Sequence, residues 1–228
     1  RFGQGLTFQS NWTWSRSLGE EDGATQSHLA SYRDGRNRSQ DRRLLGFHLT
    51  HIVRNSATYE LPFGRGKRFG RDMSKVADGF IGGWNVNTQW VKQSGFAFNY
   101  PNAGQIEARS AVLSDSERDK RSKNGTFDPA EDKWFDTTLF PNRAQAPFTL
   151  RNFPTRFPDV RSESPDFVEI SAFKEFTFKE RVRLQIRADF QNAFNFPFFG
   201  ALLSNDVTNT RFVQLRADIT NEPRRVVG

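Results

Sequence analysis

From Arg181 to Phe196 the chain alternates in character. Val182, Leu184, Ile186, Ala188, Phe190, Phe194 and Phe196 occupy even positions, with Asn192 the one polar member. Arg181, Arg183, Gln185, Arg187, Asp189, Gln191 and Asn195 occupy odd positions, with Ala193 the one apolar member. Successive side chains of a strand point to opposite faces, so this spacing predicts a strand with one oily and one wet side. Strands in soluble domains usually run about 5–6 residues, and this alternation lasts roughly three times as long. It exceeds the ~9–11 residues with which a tilted strand crosses a bilayer. A barrel wall with lipid outside and water inside satisfies both faces.

Four further segments repeat the pattern. Gly5 to Leu18 sets Leu6, Phe8, Trp12, Trp14 and Leu18 against Thr7, Gln9, Asn11 and Thr13. Phe47 to Leu61 sets Phe47, Leu49, Val53, Ala57 and Tyr59 against His48, Thr50, Arg54 and Ser56. Trp84 to Tyr100 sets Trp84, Val86, Trp90, Phe96, Phe98 and Tyr100 against Asn85, Asn87 and Gln89. Phe167 to Lys179 sets Val168, Ile170, Ala172, Phe176 and Phe178 against Glu169, Ser171 and Glu175. The connections run long, short, long, short, long. Polar loops cover about 19–46, 101–166 and 197–223, and Lys179-Glu180-Arg181 reads as a tight hairpin turn. An up-and-down meander with short turns on the periplasmic side and long loops outside has this asymmetry.

Composition agrees. The mean hydropathy is −0.71, and no run approaches the ~18 apolar residues of a membrane helix. Barrel strands are half polar by construction, so such an average does not exclude them. The 24 Phe, 5 Trp and 3 Tyr need apolar surroundings, in a core or at an acyl-chain boundary. There is no Cys, which removes disulfide frameworks and Cys-based zinc sites. The net charge of +7 is spread along loops and strand faces, which favours a solvated surface over a nucleic-acid tract. No secretory signal is expected within these residues. About five strands plus a stub at Arg224 to Gly228 fall short of the ~8 that close the smallest membrane barrel. The expected fold is therefore all-β: an antiparallel, up-and-down transmembrane barrel wall, incomplete, as an internal piece of a longer protein, with residues 1–228 forming one partial barrel domain.

Several segments resemble a known family. They are Asn11 to Leu18, Tyr59 to Arg68, Gly82 to Val86, Ala172 to Phe176 with Glu180 to Gln185, and Ala188 to Asn195. In order and across nearly the whole chain, they resemble the C-terminal barrel part of TonB-dependent, Oar-like outer-membrane transporters. That resemblance implies a 22-stranded barrel in the bacterial outer membrane. It implies movement of a large solute, driven by the TonB complex acting on a plug domain not contained here. The family's last strand is also expected to be missing after Pro223-Arg224-Arg225. Import and export are both compatible with it.

Candidate functional residues follow from the faces. Trp12, Trp14, Trp84 and Trp90 fall on the apolar side, where an aromatic girdle would sit at headgroup level. Arg183, Arg187 and Asp189 fall on the polar side and are candidates to line the lumen, with a mutual charge ladder as their plainer role. Pro62, Gly64 and Gly66 mark a periplasmic turn. Gly64 to Lys67 lacks the phosphate-loop pattern and leads into no helix. His48 and His51 have an odd spacing, which puts strand residues on opposite faces and separates them as metal ligands. The acidic loop residues Glu20, Glu21, Asp22, Asp34 and Asp41 lack calcium-loop spacing. No nucleophile-elbow, zincin or triad pattern occurs, so neither an enzyme nor a cofactor is expected. The expected partners are outer-membrane lipid, the TonB complex through the plug, and an unidentified solute. A soluble all-β module binding glycans or nucleic acid, and a passive porin, are the alternatives. The first is disfavoured because the aromatics share faces with Val, Ile and Leu rather than with the arginines.

Overall fold

The computed structural model describes residues 5–20, 34, 36–101, 109–140, 146–178, 182–216 and 225–227. In chain order the elements are β1 (Leu6–Trp14), β2 (Leu18–Gly19), β3 (Arg43–Leu44), β4 (His51–Glu60), α1 (Lys75–Ile81), β5 (Trp84–Gln93), β6 (Ala97–Asn99), α2 (Asp115–Arg121), β7 (Arg156–Arg161), β8 (Asp166–Phe178), β9 (Val182–Gln191), β10 (Ala201–Leu202), β11 (Leu215–Arg216) and β12 (Arg225–Val227). Six of them form one sheet in the order β1-β4-β5-β8-β9-β12. Every neighbouring pair is antiparallel, with Trp12 opposite Val53, Asn55 opposite Trp90, Trp90 opposite Val168 and Ile170 opposite Phe190. This is the expected meander. The sheet stays open, and β12 begins a sixth strand where the sequence suggested only a stub.

β8 keeps the expected 13 residues, whereas β1, β4, β5 and β9 are shorter than the alternation implies, for local reasons. β9 ends at Gln191 because Asn192 adopts φ 45° and Asn195 φ 54°. Asn tolerates this left-handed region better than branched residues do. The Asn192 side chain then accepts from the Phe196 amide at 2.9 Å, closing a turn. Phe194 and Phe196 therefore do not extend the strand. Phe47 and Leu49 precede β4 rather than belong to it, and Leu18 pairs with Leu44 in a separate two-stranded ribbon. Beyond Gln93 the chain leaves the sheet at Gly95, whose backbone passes so close to Ser162 that an added Cβ would lie 1.9 Å from its carbonyl oxygen. β6 then pairs with β7, and Ala97 and Phe98 turn into a different core.

That core lies in the long connections. Phe98, Trp134, Phe135, Phe140, Phe157, Val160, Phe212, Val213 and Leu215 are buried together. Phe135 is 1% exposed and packs on Phe157, Phe140 and Phe212 at ring separations of 5.1, 5.8 and 6.3 Å. Backbone bonds from Trp134 N to Val213 O (3.1 Å) and Leu215 N to Pro129 O (2.8 Å) join the β5–β8 connection to the β9–β12 connection. Arg156 donates to Leu44 O at 3.1 Å and ties in the β1–β4 connection. The long connections are thus a folded cap at one end of the sheet, not a set of separate loops.

Candidate membrane face and lumen lining

Register assigns each residue of the sheet to a face. Residues opposite one another share a side, so Phe8, Trp12 and Trp14 stand with Val53, Ala57 and Tyr59, then with Val86, Trp90, Val168, Ile170, Phe176, Leu184 and Ile186. Among the described residues no second sheet covers this side. Trp12 is 66% exposed, Trp14 63%, Val182 59% and Leu184 51%. Soluble monomers rarely leave so continuous an apolar surface open. Among the described residues these rings are not interleaved with those of a second sheet, which argues against a sandwich core. β4, β5 and β9 each have 10 residues. Nine steps of ~3.4 Å at a tilt of ~40° give a height of about 23 Å, against the ~25 Å apolar band of outer-membrane barrels.

The four tryptophans occupy that face near its two ends. Trp12 Nε1 donates to His51 Nδ1 at 3.3 Å and its ring stacks on the imidazole. Trp90 Nε1 donates to Asp166 at 3.0 Å, where Lys92 also binds. Trp12, Trp14 and Trp90 lie toward the cap. Trp84 opens β5 at the opposite end, half-buried, with Nε1 on Phe80 O at 2.8 Å. An apolar ring with a satisfied N–H suits a boundary between oil and water.

The other face is polar. Arg187 Nε donates to Asp189 at 2.7 Å, and the Ser171 hydroxyl donates to the same carboxylate oxygen at 2.5 Å. Arg187 Nη2 reaches the Ser171 oxygen at 3.3 Å. With Asn87, Gln89, Glu169 and Gln191 they line a shallow depression of about 210 Å³. The structure therefore brings Arg187 and Asp189 together, whereas Arg183 stands apart, opposite Thr177. The pair is solvent-screened, so the network shapes the surface more than it holds the fold.

Pro62, Gly64 and Gly66 form a compact turn beyond β4. Phe69 N donates to Pro62 O and Gly64 N to Phe69 O, each at 2.9 Å. Gly64 has φ 126°, and a Cβ there would sit 2.7 Å from Asp78 Oδ1. Contrary to the sequence reading, a helix follows. Ser74 caps α1 by accepting from Ala77 N at 3.2 Å, and Asp78 reaches back to Arg65 N at 2.7 Å. The β8–β9 turn at 179–181 lies outside the described residues; Phe178 pairs with Val182 across it.

His48 is not a strand residue. It is 2% exposed below the cap, accepts from Ser17 N on Nδ1 at 3.1 Å and places Nε2 3.2 Å from Thr50 Oγ1. Burial, with Arg161 and Arg16 nearby, lowers its pKa. Glu21 and Asp22 lie outside the described residues, and Asp41 is buried. Two features escaped the sequence reading. One is α1 with Lys174; Ser74 ahead of Val76, Ala77, Phe80 and Ile81 was its available signal. The other is α2, which Ser114 and Glu117 announce as a capping box, and whose Arg118 lies 4.0 Å over the Trp134 ring.

An antiparallel meander of bilayer-length strands, oily on one exposed face and hydrophilic on the other, is the wall of an outer-membrane-type β-barrel. The chain belongs to the outer membrane beta barrel domain family, whose model matches residues 1–227. No curated protein and no solved structure matches it. It is a protein of the bacterial outer membrane.

Proposed function

We propose that this chain is one arc of the barrel of a TonB-dependent, Oar-like transporter. The open sheet edges at β1 and β12 would be joined by further strands, in a barrel of 22. The long connections with their folded cap face outward, and the turns at Pro62 to Gly70 and between β8 and β9 face the periplasm. Trp12, Trp14 and Trp90 form the outer aromatic girdle and Trp84 belongs to the inner one. Arg183, Arg187 and Asp189 face the lumen, in contact with water, plug or passing solute. No residue acts as a catalyst. The observation that carries this reading is the exposed apolar face backed by a polar one. It is supported by the resemblance of five segments to that family.

Transport by a plugged barrel and passive diffusion through a porin differ electrically. The purified full-length protein in planar bilayers is expected to be silent, and to conduct only when a denaturant extracts the plug. Steady conductance without denaturant would refute the transporter reading and favour a porin. Appearance of the protein in the soluble fraction without detergent would remove both.

A further inference from the structure

Lys174 interrupts the apolar side of β8. Its cross-strand neighbours Trp84 and Ile186 place it on the same face as the exposed rings. It is nevertheless only 5% exposed. Its Nζ donates to the carbonyls of Asp78 (3.1 Å), Gly79 (2.7 Å) and Gly82. The last carbonyls of a helix lack intrahelical partners and carry partial negative charge, so an ammonium there satisfies both. Trp84 adds its bond to Phe80 O. α1 is therefore held on the apolar side of the sheet, at the end opposite the cap.

The helix then presents its own apolar edge. Val76, Phe80 and Ile81 recur at helical spacing and are 73%, 76% and 51% exposed. A helix of 7 residues is marginal in water, and leaving three large apolar side chains there adds to the cost. This edge continues the apolar face of the sheet at its rim. The surrounding segment 61–83 carries Arg65, Lys67, Arg68, Arg71 and Lys75 against Asp72 and Asp78. Continuity with the lipid face and excess positive charge point to one occupant.

We propose that α1 is an interfacial anchor lying in the periplasmic leaflet of the outer membrane. Val76, Phe80 and Ile81 enter the acyl boundary, and the flanking cations meet phospholipid phosphates. Lys174 is the positioning residue that fixes the helix to the wall. This inference rests on the reading that the sheet spans the membrane with its short turns inward.

This chain has no Cys, so a single label within it is unambiguous once any Cys elsewhere in the full-length protein is replaced by Ser. An environment-sensitive fluorophore is placed at Phe80→Cys, at Phe8→Cys on the apolar face within β1, and at Asn124→Cys in the cap. The full-length protein is reconstituted in phosphatidylethanolamine–phosphatidylglycerol vesicles containing quenchers at headgroup depth or deep in the acyl chains. The label at 80 is expected to lose most of its emission to the shallow quencher, the label at 8 to the deep one, and the label at 124 to neither. In a Lys174→Met background the signal at 80 should fall to that at 124, with 8 unchanged. Quenching at 8 without quenching at 80 overturns the anchor alone, including the case where another protein covers α1. Absence of quenching at 8 overturns the spanning reading itself. Unchanged quenching at 80 in Lys174→Met overturns the role of Lys174.

Discussion

Phe135→Ala separates the two populations of rings in this protein. Phe135 is 1% exposed and is enclosed by Phe140, Phe157 and Phe212. Truncating a buried Phe costs about 3–5 kcal/mol, through lost transfer energy and the cavity left behind. If the cap has its own core, that cost falls on cap opening alone. Cleavage through an open state follows its population, so tryptic nicking at Arg118, Arg121 and Lys133 should rise on the order of 10²–10⁴-fold. The six-stranded sheet shares no ring with this cluster, so heat-modifiability on cold gels should be unchanged. Phe8→Ala, which removes a ring 47% exposed on the sheet, should leave nicking at those sites at the parent rate. Equal nicking in Phe135→Ala, or loss of the folded barrel with it, would refute an independent core in the connections.

Three further outcomes follow. Gly95→Val should be as disruptive to the cap as Phe135→Ala, because its Cβ would collide with the Ser162 carbonyl where β5 leaves the sheet; the same nicking assay reads it. Burial alone would raise the Asp136 pKa, but hydrogen bonds from Arg121 and Thr138, with the Arg121 charge, bring it down to about 2. The resulting stabilisation of about 2 kcal/mol is full above the unfolded carboxylate value near ~4 and is lost as pH falls through about 2. Cap protection against pepsin should drop across that window, and Asp136→Asn should weaken the dependence, the remainder coming from Glu117 and Asp206, whose carboxyls are also held low. His48 has a lowered pKa, so its neutral form stabilises the native state above the ordinary value near ~6.5, and that contribution declines as pH falls from there through the lowered native value. The hydrogen-exchange protection factor of the Ser17 amide, which donates to His48, should fall over this range. A flat protection factor would contradict the assignment.

Period-two alternation alone determined the meander and the side of the sheet on which Phe8, Trp12, Trp14, Trp90, Leu184 and Ile186 lie, because strand geometry leaves no other choice. It also separated Arg187 and Asp189 from those rings. Alternation says nothing about what covers a face, since that is set by segments distant in sequence. Phe96, Phe98 and Tyr100 look like a continuation of β5, yet the close approach at Gly95 sends them away from the sheet, and Phe98 ends in the core of the cap. Asn192 ends β9 through a backbone angle that its neighbours' polarity does not encode. Lys174 reads as a flaw in an oily strand until the fold brings two carbonyls from α1 and that of Gly82 at its C-terminal cap onto its ammonium group. Local covalent geometry thus sufficed for which way a side chain points, whereas only long-range packing decided whether it meets lipid, protein or a helix end.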